Sequence, residues 1–211
     1  MSESIIIKPG SVIGIVGGGQ LGRMIAIDAA KLGYKTHIFT DVSDSPASHV
    51  ATQTTVADFS DINSVDKFAN SVDVVTIEFE NIPHSLMLSL SKNVPVYPGW
   101  EILYTAQNRI REKELAKRLL IPVPKFFHVQ NETELIRSVR ELNFKALIKT
   151  VELGYDGKGQ YLIKSENDLS KIKIDWNLKN VPGYVVEEFV DLEKEVSLII
   201  ARNALGDIEF F

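Results

Sequence analysis

The sequence predicts an α/β protein: a doubly wound parallel sheet followed by a mixed α+β unit. Two observations carry this. Short β-branched runs alternate with longer stretches of helical spacing through the first hundred residues. Beyond Pro122 and Pro124 the strands crowd closer together, two of them joined by a glycine-rich loop rather than a helix.

In chain order, residues 12–16 are a continuous apolar run, short enough for a buried strand and closed by Gly17-Gly18-Gly19. From Gln20 the spacing turns helical, with Leu21, Met24, Ile25 and Leu32 on one side and an end near Gly33. Strands are predicted at 36–40, 54–57 and 72–77, and 94–97 closes the set. A helix is expected after Asp61, and another around Pro83, where proline suits a first turn. This order reads as a parallel sheet with helices on both faces. Residues 109–120 read as a charged amphipathic helix with Leu115, Ala116, Leu119 and Leu120 as its apolar side, stopped by Pro122 and Pro124. The units divide as 1–105 and 106–211. The second is expected to hold strands at 125–129, 146–151, 160–163, 184–190 and 195–200 and a helix at 132–142. The ending Ile208-Glu209-Phe210-Phe211 reads as a strand without neighbours, open to edge association.

Composition narrows the chemistry. The chain has 211 residues, 45% hydrophobic and 24% charged, with a net charge of −5, which disfavours general affinity for nucleic acid or anionic membrane. It has no cysteine, which removes disulfides, zinc–thiolate sites and cysteine nucleophiles. His37, His49, His84 and His128 lack metal-ligand spacing, and Ser11 and Ser197 lack a nucleophile elbow. Trp100 and Trp176 read as packing residues. With no 18-residue apolar run and no basic start, a cytoplasmic location is expected.

Two glycine motifs point to anions. Gly17-Gly18-Gly19-Gln20-Leu21-Gly22 follows a strand and opens a helix, where free N–H groups and the positive dipole end attract negative charge. With Asp41 closing the next strand, the motif is open to three readings: a dinucleotide, a single phosphate of another ligand, or close strand–helix packing. Gly154-Tyr155-Asp156-Gly157-Lys158-Gly159-Gln160 joins two strands and is not a Walker loop; it suits a flap over nucleotide phosphates. Just before it, Lys149 interrupts the run Ala146-Leu147-Ile148, a costly place for an ammonium unless it meets an anion, with phosphate the natural candidate. The segment Val185-Val186-Glu187-Glu188-Phe189-Val190, followed by Glu195, can offer backbone groups to an adenine edge and a carboxylate to ribose hydroxyls, although alternation leaves one acid solvated. The charge run from Arg109 to Arg118 reads as a wetted helix surface.

Taken together with Thr76-Ile77-Glu78-Phe79-Glu80-Asn81-Ile82, these motifs resemble the 5-(carboxyamino)imidazole ribonucleotide synthase family of ATP-grasp carboxylases over nearly the whole chain. The resemblance implies a Rossmann-like pre-ATP-grasp domain followed by an incomplete ATP-grasp domain. It implies carboxylation of 5-aminoimidazole ribonucleotide with bicarbonate at the expense of ATP, in purine synthesis. Arg109 and Lys149 would hold ATP phosphates beneath the flap Gly154, Tyr155, Asp156, Gly157, Lys158, Gly159 and Gln160. Glu187, Glu188, Phe189 and Val190 would form the adenine hinge, and Glu195 would take the ribose. The N–H groups of Gly19, Gln20 and Leu21 would bind the ribonucleotide phosphate and Glu78 its ribose hydroxyls, with Tyr155 and Asp156 facing the aminoimidazole and bicarbonate. Partners are then small molecules, with room for a homodimer.

Two departures accompany the resemblance. Val151-Glu152-Leu153 puts an acid where the family carries a positive charge near the phosphates, which bears on how the flap holds them. The family also continues beyond Phe211 with its Mg²⁺ carboxylates, so little turnover is expected of this chain alone. The alternatives are another grasp ligase such as formate-dependent glycinamide ribonucleotide transformylase, a nicotinamide-dependent oxidoreductase, and a non-catalytic binding module.

Overall fold

Five residues with no charge and four β-branched side chains make β1 (Val12–Val16) the natural centre of a sheet, and its last three residues are buried. The computed structural model describes residues 6–153, 159–174, 176, 182–203 and 205–211. From β1 the chain runs through α1 (Gln20–Lys31), β2 (Lys35–Thr40), β3 (Gln53–Val56), α2 (Ile62–Ala69) and β4 (Val74–Ile77). These strands form one parallel sheet in the order β3-β2-β1-β4, with Ile15 opposite Ile38 and Thr76. Asp61 starts α2 by accepting from the N–H groups of Asn63 and Ser64.

Alternation along β1 and β2 sends Ile15 and Ile38 to one face and Val16 and Phe39 to the other. On the first face lie Ala26 and Ala47; on the second, Phe68, Leu86, Met87 and Leu90 of α2 and α3 (His84–Asn93). The expected apolar side of α1 holds only for Ile25, which packs partly buried on the first face, and is otherwise corrected here. Gly22, Ala26 and Ala29 are its buried residues, whereas Leu21 (59% exposed), Met24 and Leu32 face outward. The small residues win because they bring the helix close to the sheet: a Cβ on Gly22 would lie 3.2 Å from the Gly17 carbonyl oxygen. The expected strand at 94–97 reduces to a single parallel bridge from Val96 to Val75, and Pro83 caps α3 from outside rather than starting it.

Two helices then bridge to the second unit. The sequence pattern passed over α4 (Trp100–Ala106); α5 (Arg109–Arg118) is capped by Asn108, whose side chain accepts from the N–H groups of Ile110 and Arg111. The apolar side expected of this helix is also corrected: none of its residues is buried, and Leu119 and Leu120 beyond it are exposed.

The second sheet is antiparallel in the order β5-β8-β6-β7, formed by β5 (Phe126–Val129), β6 (Ala146–Thr150), β7 (Gln160–Ile163) and β8 (Tyr184–Glu188). Between these strands lie α6 (Glu132–Glu141) and the unforeseen α7 (Glu166–Lys171). Leu135 and Val139 of α6 pack on Ile148, Ile163 and Val186, so one face of the sheet is an ordinary apolar core. The opposite face carries Glu187 and Lys149.

The strand expected at 195–200 is absent. Residues 191–199 are irregular, and only Ile200 enters β9 (Ile200–Arg202). The ending is not a strand without neighbours either. β10 (Ile208–Phe210) pairs antiparallel with β9, its turn held by Asn203 Oδ1, which accepts from the N–H groups of Leu205 and Asp207.

Candidate functional site

β1 lies between β2 and β4: the chain runs outward through β2 and β3 on one flank, then returns to place β4 on the other. That reversal opens a crevice at the carboxyl ends of β1 and β4, the place where open α/β sheets take ligands. Gly17 leaves β1 with φ +107°, and a Cβ there would lie 2.8 Å from Phe79 Cδ1 and from Glu78 Oε1, so the turn belongs to glycine. Glu78, directly after β4, donates its N–H to the Val16 carbonyl at 3.0 Å. Its carboxylate reaches across: Oε1 accepts from Gly19 N–H at 3.0 Å and Oε2 from Gly22 N–H at 3.2 Å. The amino end of α1 thus holds a negative charge supplied by the chain itself. Beside it lies a hollow of about 210 Å³ lined by Thr40, Asp41, Ser45 and Glu78. Gln20 and Leu21 form the first helical turn there, and the Leu21 side chain faces outward.

The second anion site lies on the α5 side of the second sheet. Glu187 pairs across the ladder with Leu147 on one flank and with Phe126 on the other. Lys149 lies two residues beyond Leu147, on the same face and diagonal to Glu187. Its ammonium meets Glu187 Oε1, while Lys113 Nζ of α5 lies 2.5 Å from Oε2. Glu187 is only 4% exposed. Burial pushes its carboxyl up, but the hydrogen bonds and charges of Lys113 and Lys149 outweigh this and hold it below the usual carboxylate range. The anion that Lys149 meets here is a protein carboxylate.

Arg109 is tied to the end of β6. Its N–H donates to the Val151 carbonyl at 3.0 Å and its Nη1 to the Thr150 carbonyl at 2.9 Å. Glu188 is exposed, and Phe189 and Val190 leave β8 partly exposed. The N–H groups of Glu188 and Phe189 are engaged by the carbonyls of Lys125 and Lys145. Glu195 is exposed within the irregular stretch 191–199. Gly159 and Gln160 lead into β7; Gly154, Tyr155, Asp156, Gly157 and Lys158 lie outside the described residues.

The acid of Val151-Glu152-Leu153 has a definite place. Glu152 Oε1 accepts from Asn108 Nδ2 at 2.6 Å and pairs with Arg111 Nη2 at 3.1 Å, so its charge is neutralised by the amino end of α5. Arg111 also lies over the Tyr104 ring, 3.5 Å from its centroid. Glu152, Arg111 and Tyr104 border a cavity of about 450 Å³ shared with Asn81, His84 and Gln107. Gln107 Nε2 donates to the carbonyls of Glu80 and Ile82, fastening the loop that carries Glu78 to the α4–α5 junction.

The surface reading of the α5 charge run is therefore corrected for two members. Lys113 is 16% and Arg111 26% exposed, and both are paired with acids of the second unit. The available signal was spacing: Arg109, Lys113 and Lys117 recur every four residues on one helix face, and Lys117 Nζ sits 4.0 Å above the Phe126 ring. Among the described residues no group of three or more carboxylates and imidazoles converges to hold a metal ion, and no helix is long and apolar enough to cross a membrane.

Comparison with known proteins adds identity to this geometry. A family model for the ribonucleotide synthetase preATP-grasp domain matches residues 11–107, and one for the ATP-grasp domain matches residues 114–211. The N5-carboxyaminoimidazole ribonucleotide synthase of Bacillus subtilis is 37% identical over the whole chain, which covers 54% of that protein. The bifunctional purine synthesis protein purC/E of Dictyostelium discoideum is 42% identical over 97% of the chain and 21% of its own length. Among solved structures, an ADP complex of an N5-carboxyaminoimidazole ribonucleotide synthetase superposes with a TM-score of 0.91 at 37% identity, covering 100% of this chain and 55% of that one. The Staphylococcus aureus enzyme with ADP gives 0.89 at 35% identity, covering 97% and 54%. The chain spans about half the length of the synthases it matches.

Proposed function

This chain belongs to the N5-carboxyaminoimidazole ribonucleotide synthase family, and we propose that its two anion sites hold the two phosphorylated substrates of ATP-dependent carboxylation. In that reaction bicarbonate is joined to the amino group of 5-aminoimidazole ribonucleotide, with ATP converted to ADP and phosphate. ATP belongs to the second unit and the ribonucleotide to the crevice after β1.

The observation that carries this assignment is Lys149: an ammonium in mid-strand, on the sheet face away from the apolar core, already bonded to an oxyanion. Lys149, with Arg109 beside the end of β6, would meet phosphate oxygens and offset charge developing on the transferred phosphoryl group. Glu188, Phe189 and Val190 would border the adenine. Because the N–H groups of Glu188 and Phe189 are engaged, the Val190 N–H is the donor left for a purine ring nitrogen. Glu195 would take the ribose hydroxyls, and residues 154–160 would close over the phosphates.

At the opening turn, Gly19, Gln20 and Leu21 would offer N–H groups to the ribonucleotide phosphate, and Glu78 would accept from its ribose hydroxyls. Glu78 now engages the Gly19 N–H, so binding there involves exchange of one anion for another. A dinucleotide pyrophosphate would need the same N–H groups. Mg²⁺, when bound with ATP, supplies charge neutralisation on the phosphates. The described residues do not fit a metal centre of their own, so no step is assigned to a metal on this chain.

Calorimetric titration of the 211-residue chain with ATP–Mg²⁺ and, separately, with 5-aminoimidazole ribonucleotide tests the assignment. Lys149→Gln is expected to weaken ATP about tenfold or more and leave the ribonucleotide unchanged, by loss of one charge-assisted contact. Glu78→Ala is expected to do the reverse. Saturable NADH binding at the opening turn, or ATP affinity indifferent to Lys149→Gln, overturns it.

A further inference from the structure

Lys113 has no part in the assignments above, yet it is one of two cations on the buried Glu187. The Lys113 Nζ lies 2.5 Å from Oε2 and the Lys149 ammonium holds Oε1, so one carboxylate carries two positive partners brought from a helix and a strand. A buried carboxylate with a single cation cannot release it cheaply, because removing one member of a buried pair leaves the other charge uncompensated. With two cations, one can leave.

We propose that Lys113 is a positioning residue of the nucleotide site: by keeping Glu187 paired through Oε2, it leaves the Lys149 ammonium available to phosphate oxygens. This rests on the assignment of Lys149 to ATP phosphates. Three features of the surroundings agree with it. Glu187 is buried, and the two lysines together hold its carboxyl below the usual range, so the carboxylate needs a cation of its own when Lys149 turns to phosphate. Lys113 stands on α5, outside the sheet, and can stay with Glu187 whatever Lys149 does. The Lys113 ammonium also lies 5.7 Å from the centroid of Phe126, the residue paired with Glu187 on β5, so both its neighbours fix its position.

The test is a set of affinities for ATP–Mg²⁺ and for adenosine, measured on the whole chain and on the variants Lys149→Gln, Lys113→Gln, Lys113→Arg, Glu187→Gln and the double variant Lys113→Gln/Glu187→Gln. Without Lys113, Lys149 becomes the sole partner of Glu187 and is retained there. Lys113→Gln is therefore expected to weaken ATP about tenfold, the equivalent of 1.4 kcal/mol, while adenosine, which has no phosphate, keeps its affinity. Lys113→Arg is expected to restore most of the ATP affinity. Once Glu187 is neutral, Lys113→Gln is expected to change nothing further.

A Lys113→Gln chain that binds ATP normally, that loses adenosine equally, or that loses ATP to the same extent in the Glu187→Gln background overturns the inference, while the Lys149 arm still upholds the nucleotide site. ATP affinity unmoved by Lys149→Gln overturns both. If Lys113→Gln alone fails to fold, the double variant decides: a folded double variant with the ATP-to-adenosine ratio of Glu187→Gln supports the charge relation, and one that remains unfolded, or whose ratio differs, refutes it.

Discussion

At the opening turn a glutamate rests on backbone N–H groups, and in the second sheet another glutamate rests on lysine side chains. Glu78 is held by Gly19 and Gly22, whose donors are neutral, rigid and placed by a turn that only small residues can make. Glu187 is held by Lys113 and Lys149, whose donors are charged, flexible and drawn from elements distant in the chain. The contrast teaches that an anion site can be built from backbone shape or from side-chain charge. The first is sensitive to volume and insensitive to charge substitutions around it; the second is the opposite.

The most damaging way to probe this contrast is Gly17→Ala. The added methyl meets Glu78 and Phe79 and forces a backbone conformation foreign to alanine, so a loss of about 3 kcal/mol or more in urea denaturation is expected. An unchanged midpoint would show that the turn is not shape-limited.

Next is Glu187→Ala. It leaves two lysines facing each other without their shared anion, and about 2 kcal/mol is expected to be lost, less than for a sealed pair because both ammonium groups retain some access to water. High salt is expected to relieve this variant and not Gly17→Ala.

Smaller again is Glu152→Ala, which removes partners of Asn108 and Arg111 in a partly exposed setting; about 1 kcal/mol is expected. A larger loss would mean that this carboxylate, rather than packing, holds α5 against the second sheet.

The mildest probe is pH. Buried His37, bonded to Ser71 and Thr55, has its pKa lowered by burial from its ordinary value of about 6.5. Below that value the unfolded chain takes a proton that the folded imidazole resists. Stability of the first unit is therefore full above pH 6.5 and declines as pH falls toward the lowered value. For Glu187 the folded carboxyl lies below its ordinary value of about 4.5, so its contribution is present above that pH and is lost as pH falls through the folded value. Acid titration followed by probes in each unit should weaken the first before the second; simultaneous loss would contradict this order.

The alternating elements of the first unit were legible because β-branched runs and glycine punctuation are local signals, as at residues 12–16 and Gly17. The buried face of α1 was not, since apolar spacing singled out Leu21 and Met24 while the sheet accepted Gly22, Ala26 and Ala29 for their size. The strand expected at 195–200 failed for a related reason: Val196 and Leu198 have β character but stay exposed in an irregular stretch, and backbone pairing with the chain end begins only at Ile199, which exchanges hydrogen bonds with Phe211. At the candidate sites, a lysine inside an apolar strand announced that an anion was needed, but its partner could not be named. Charge on α5 looked like surface until the second sheet was seen beside it.

By itself, then, the sequence determined the kinds of element, the turn that needs glycine and the positions where charge would demand a partner, since these follow from local sterics and the cost of burying an ion. Only the tertiary structure decided which charges meet. Glu78 with the N–H groups of α1, Glu152 with Arg111, and Glu187 with Lys113 and Lys149 join elements far apart in the chain, and packing alone sets their distances.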